Sequence, residues 1–206
     1  MSTLAYSIPA ARRGLAYDVL VVLMGSLVVA ALAQLSVRLP FTPVPVTGQT
    51  LAVLLVGAAL GSVRGAAALA LYLVEGAAGI PVFAEGQSGA AFLLVADPLH
   101  VTGGYLWGFV AAAFLVGWLA ERGWDRKTGS AIGAMLLGEI VIFTCGVVWL
   151  SAALDVPVQA PGQTFNDALE FGFYPFAVGD ILKVLIAAGA LPVAWKFLGE
   201  HGGRTP

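Results

Sequence analysis

Asp180 and Lys183 stand three residues apart inside the last apolar stretch of the chain, Phe171 to Lys196, FGFYPFAVGDILKVLIAAGALPVAWK. On a helix that spacing puts both on one face, about 4.5 Å apart along the axis. The stretch is long enough to span a bilayer. Either charge alone near the bilayer centre costs roughly 2.5–3.5 kcal/mol on insertion scales. Together, with opposite signs, they neutralise each other, and two readings follow. One is a structural ion pair between helices, with the Lys183 stem snorkelling. The other is a polar face that binds a small ligand, the carboxylate accepting N–H bonds and the ammonium donating to oxygen. A helix that starts near Pro175 sets Asp180 roughly 7 Å and Lys183 roughly 12 Å below its end.

Other polar residues in apolar surroundings are fewer. Glu139, in GEIVIF, reads first as a packing residue. Thr102-Gly103-Gly104-Tyr105 opens a span, where free N–H groups favour an anion, or is an ordinary helix N-terminus. Gln49 either bonds a ligand or caps the helix it begins. Trp107 and Trp149 read as belt residues at the membrane interface. Enzyme signatures are missing: there is no GxxxxGK[ST] loop, no HExxH and no Cys/His cluster. The histidines are His100 and His201, so no span carries one for a serine hydrolase. The chain is not expected to be an enzyme or to need a cofactor or metal.

The elements that must hold these residues follow from composition. Of 206 residues, 59% are hydrophobic and 11% charged, against about 25% charged in soluble domains. This is the composition of a helical integral membrane protein, since open backbone cannot face lipid. A net charge of −2 gives no pull toward nucleic acid, and the single Cys145 excludes an intrachain disulfide. The 26 glycines suit close helix packing. Arg12 and Arg13 precede an apolar run too long for a signal peptide, so that run is expected to be a retained helix.

The expected architecture is all-α: one six-helix membrane domain over 1–206, with spans near 19–37, 50–62, 65–76, 101–120, 130–150 and 176–196. The segment Pro40–Thr50, PFTPVPVTGQT, cannot begin as a helix and should be an extended loop that dives back into the second span. Residues 79–100 and 155–174 are long, interrupted connectors, and ordered loops of such length are usually functional. With the N-terminus inside, Arg12, Arg13, Arg64, Arg122, Arg126, Lys127, Lys196 and Arg204 are cytoplasmic, and Arg38 is outside. That asymmetry predicts both termini in the cytoplasm and the irregular loops on the outer face, as a lid.

Four motifs then agree with one family: PFTPVPVTGQTLAVLLVGAALG, GIPVFAEG, TGGYLWGF and FYPFAVGDILK. In these the chain resembles BioY, the membrane-embedded S component of energy-coupling factor (ECF) biotin transporters, from about residue 15 to 198. The resemblance implies an S-component fold and high-affinity biotin binding at the outer face of a bacterial cytoplasmic membrane. Its implied partners are a transmembrane coupling protein and two cytoplasmic ATPases, the S component toppling in the bilayer to carry its load. A homo-oligomer, a solitary carrier or enzyme, or an S component for another small vitamin are the alternatives. The family's GDxxK motif falls on Gly179, Asp180 and Lys183, and its ligand-facing loop and helix entrance fall around Gln87 and Tyr105. The expected substrate-binding residues are thus Asp180, Lys183, Tyr105, Gln49 and Gln87. Two departures stand out. VADPLHVTGGYL inserts Asp97 and His100 before the third motif. The family's helix-one alanines are replaced by Val29 before Ala33, with Ser26 and Ala30 as a small-residue alternative for docking.

Overall fold

The apolar run after Asp18 lies within helix α1, Leu15–Ala33, in a computed structural model that describes residues 3–4, 14–159 and 167–202. The helix is shifted about four residues toward the N-terminus of the expected 19–37. It closes with the Gln34 N–H on the Ala31 carbonyl at 3.2 Å and the Leu35 N–H on that of Leu32 at 3.3 Å. The chain then turns extended: Ser36–Val37 (β1) pairs antiparallel with Val46–Thr47 (β2), Ser36 opposite Thr47. Pro40, Pro43 and Pro45 lie between or beside these strands, and their missing N–H groups and fixed φ prevent a helix there.

Helices α2, Gln49–Leu60, and α3, Ser62–Ala77, meet at Gly61, whose φ is +87°. A side chain there would be strained by that φ and would sit 2.6 Å from the Glu121 carboxylate. Glu121 uses that space to accept bonds from the Ser62 N–H at 2.8 Å and hydroxyl at 2.9 Å. A carboxylate from elsewhere in the chain therefore satisfies the first turn of α3.

The connector 79–100 is irregular as expected, apart from a 3-10 turn at Ala84–Gly86 and the single-turn helix α4, Ala91–Leu94. Helix α5 is Gly103–Glu121, followed by a turn at Trp124–Arg126 and by α6, Thr128–Leu154. Of the second connector, residues 160–166 lie outside the described residues; α7, Ala168–Gly172, completes it. Helix α8 is Tyr174–Gly202. Both α6 and α8 outrun the expected 130–150 and 176–196. Polar or small residues at their ends break the apolar run without breaking the backbone bonding.

Among the described residues, four stretches are long and apolar enough to cross a membrane: α1, α5, α6 and the 168–197 stretch holding α7 and most of α8. Helix α2 is apolar but shorter. Leu20, Leu23, Met24 and Leu27 on α1, and Ile181, Leu182, Leu185 and Ile186 on α8, are exposed. Apolar surface of that extent matches lipid rather than water.

Helix α5 sits centrally, packed on α2, α3 and α6. Glycines permit the approach: a Cβ on Gly57 would lie 2.8 Å from the Ala113 carbonyl oxygen, and one on Gly104 only 2.3 Å from that of Cys145. Helix α1 leans on α3 through a Ser26 hydroxyl that donates to Glu75 and an Arg64–Asp18 ion pair. Ser26 is therefore buried and Ala30 is partly covered by the core. The small-residue face expected to be open for docking is turned inward instead, because Ser26 has a polar partner in α3.

The described parts of the three long connectors, 34–48, 79–102 and 155–173, gather at one end of the bundle. Gln34 donates to the Phe83 carbonyl at 3.1 Å, the Thr42 hydroxyl to that of Phe171, and the Trp149 indole to that of His100 at 2.9 Å. The opposite end holds Arg64 with Asp18, Glu121 with Ser62, and the Trp195 indole on Asp125 at 2.6 Å. Arg38 is at the first end; Arg64, Arg122, Arg126, Lys127 and Lys196 are at or beside the second. Arg12, Arg13 and Arg204 lie outside the described residues.

Candidate binding site

Beneath the irregular end lies a cavity of about 550 Å³, counted with the space at its mouth that is open to solvent. The β1–β2 ribbon contributes Val44, Pro45 and Thr47, α2 contributes Gln49 and Thr50, and α8 contributes Phe176, Asp180 and Lys183. Phe83, Tyr105, Phe109 and Phe143 supply aromatic walls. The prolines keep the ribbon extended, so the chain re-enters as α2 with its polar first turn aimed at the cavity.

Asp180 is buried and accepts the Lys183 ammonium at 2.6 Å and the Thr50 hydroxyl at 3.1 Å. The ammonium also donates to that hydroxyl at 3.0 Å. The ion pair thus lies within one helix and is bridged to α2 by Thr50, rather than joining two helices directly. Its members line the cavity, where they offer an acceptor beside a donor.

Gln49 is buried, with its amide N–H on the Tyr72 hydroxyl at 2.7 Å and its carbonyl accepting from Thr47 at 3.0 Å. It faces the cavity rather than capping α2, whose N-cap is Gly48. Tyr105 donates its hydroxyl to the Gly172 carbonyl at 2.8 Å, so what it presents inward is its ring. Gln87 is exposed and lines an adjoining chamber of about 420 Å³, with Arg38, Glu85 and Leu99. Of the five expected residues, the structure brings Asp180, Lys183, Gln49 and Tyr105 to one cavity and places Gln87 next door.

Thr50 and the phenylalanines escaped sequence reasoning. Thr50 had a signal, a hydroxyl opening an apolar helix directly after Gln49. The phenylalanines had none, since aromatic residues in apolar runs read as core. Gly103 and Gly104 serve packing: side chains there would collide with the Phe92 carbonyl, Trp149 and the Cys145 carbonyl. The indoles of Trp107 and Trp149 bond the Leu93 and His100 carbonyls and so fasten the connector 79–102 to α5 and α6. Glu139, one turn before Phe143 on α6, is buried with neither carboxylate oxygen hydrogen-bonded. It lies outside the cavity lining.

In the adjoining chamber, Arg38 pairs with Glu85, Nε to Oε1 at 2.6 Å and Nη2 to Oε2. The bonded guanidinium holds the Glu85 carboxyl below the ordinary carboxylate range. A lowered carboxyl pKa keeps the pair intact above that range and releases it only as pH falls through the lowered value. Gln34 ties the same turn independently, accepting from the Gly86 N–H at 3.0 Å and donating to Phe83.

Comparison with known proteins agrees over almost the whole chain. The family model described as "BioY family" matches residues 4–200. A biotin transporter BioY of Rhizobium etli is 33% identical over 177 residues, 82% of this chain and 88% of its own. One of Thermotoga maritima is 36% identical over 152 residues, 74% of this chain and 81% of its own. The crystal structure of an S component for biotin from an ECF-type ABC transporter superposes with a TM-score of 0.69 at 23% identity, covering 88% of this chain and 92% of that one. That likeness carries the fold, and the matches along the sequence carry the lineage: this chain belongs to the BioY family.

Proposed function

We propose that this chain binds biotin and brings it across the membrane as the substrate-specific S component of an ECF transporter. The observation that carries this reading is the Asp180–Lys183–Thr50 network lining a cavity walled by phenylalanines. Biotin's ureido ring offers two N–H donors and one carbonyl on a compact bicycle. Asp180 accepts from the N–H groups, Lys183 donates to the carbonyl, and the aromatic walls take the sulfur ring. Such an S component works with a coupling protein and ATPases, since the sequence has no nucleotide motif of its own. The six crossings are α1, α2, α3, α5, α6 and α8, the cavity end is outermost, and both termini are cytoplasmic, in keeping with the basic residues gathered at the far end.

The test is uptake of tritiated biotin by cells that lack their own biotin transporter and express this chain with its coupling protein and ATPases. Accumulation should be blocked by excess unlabelled biotin and unaffected by thiamine or riboflavin. No accumulation, or competition by another vitamin, contradicts the reading. A second expected result concerns the cover. Biotin should slow hydrogen exchange in residues 38–49 and 79–100, which lie over the cavity. Unchanged exchange in both segments contradicts their role as a lid.

A further inference from the structure

The inner cavity accounts for the ring of the ligand but not for its acid. Biotin carries a carboxylate on a flexible chain, and Asp180 already places one carboxylate within the cavity. In the pose proposed above Lys183 is taken by the ureido carbonyl, so no other cation among the described residues lining the cavity is left for a second carboxylate beside Asp180. The adjoining chamber shares Pro45, Phe83, Ala84 and Thr102 with the cavity and so offers the acid a place next to it. Among the residues lining that chamber, Arg38 is the cation.

We propose, resting on the biotin reading above, that Arg38 is the residue that recognises the ligand's carboxylate, and that Glu85 occupies its guanidinium until the ligand arrives. The guanidinium already engages a carboxylate through two N–H groups, Nε and Nη2, the fork geometry that suits a carboxylate. The acid of the ligand is the chemical equivalent of the group it displaces. The exchange is a light one, because the Arg38 side chain is 74% exposed and an exposed pair contributes little. Glu85 is held at φ +59°, ψ +27°, a left-handed conformation few non-glycine residues adopt and one that recurs at ligand clamps. Breaking the pair does not release the turn, since Gln34 holds Phe83 and Gly86 separately. Arg38 thus confers preference for an acid over its neutral amide, and Glu85 competes against that acid.

The experiment is calorimetric titration of the purified full chain with biotin and with biotinamide, which has the same rings and no charge. The wild-type chain should prefer biotin about two- to fivefold, the range that an exposed ion pair supports. Arg38→Gln should collapse that preference toward unity. Glu85→Gln should enlarge it, because the competitor for the guanidinium is gone. A preference that survives Arg38→Gln, or one that shrinks in Glu85→Gln, overturns the proposal and leaves the pair as a loop strap. Equal binding of acid and amide by the wild-type chain also overturns it while leaving the biotin reading intact. No binding of either overturns both.

Discussion

Asp180→Asn and Lys183→Met should each weaken biotin binding by about tenfold or more, since a hydrogen bond to a charged group contributes roughly 1.5–3 kcal/mol. Asp180→Asn keeps the shape of the side chain but turns half of its acceptor surface into a donor that faces the ureido N–H groups. It also removes the charge that faces the half-buried Lys183 ammonium, which keeps its bond to the Thr50 hydroxyl. Lys183→Met keeps the stem and removes the donor to the ligand carbonyl. Both variants should still fold in detergent, because the pair lies within α8 and does not itself hold two helices together. Equilibrium titration beside size-exclusion chromatography reads both quantities. Two monodisperse variants that bind as the parent does would place the site elsewhere.

The largest effect on assembly is expected at Gly104. A methyl group there would lie 2.2 Å from the Trp149 Cβ and 2.3 Å from the Cys145 carbonyl oxygen. Neither is the free end of a flexible side chain, so α5 and α6 must separate. Overpacking of this kind costs about 1–3 kcal/mol, and more where backbone must move. Separation would also pull Tyr105, the next residue, from the Gly172 carbonyl and open the cavity wall. Gly104→Ala should lower the thermal midpoint in detergent by several degrees and reduce biotin binding with it. Gly129→Ala, with nothing near its Cβ, is the matched control and should melt with the parent. A Gly104→Ala protein as stable as the control would show that the two helices are not pressed together here.

Much of this was legible in the residues. Asp180 and Lys183 announced themselves because charge is rare in apolar stretches and three residues is a helical spacing. The prolines of 40–45 announced a non-helical ribbon, and the interruptions of 79–100 a shaped connector. What was hidden has physical reasons. The end of α1 at Ala33 depends on pairing between Ser36–Val37 and Val46–Thr47, a contact that apolar content alone cannot reveal. The inward turn of Ser26 depends on Glu75, forty-nine residues away. Thr50 lacks charge, so only its place between two ionised groups shows its role. Gln87 shares a family motif region with the site, yet the turn at Ala84–Gly86 carries it to the outer chamber.

The central claim is that the cavity formed by α2, α5, α6 and α8 holds biotin, and its most direct test is binding of tritiated biotin to the purified chain without partners. Saturable binding of one biotin per chain, displaced by unlabelled biotin and weakened in Lys183→Met, is the predicted result. Absence of saturable binding by a folded, monodisperse parent, or binding indifferent to Lys183, would contradict it.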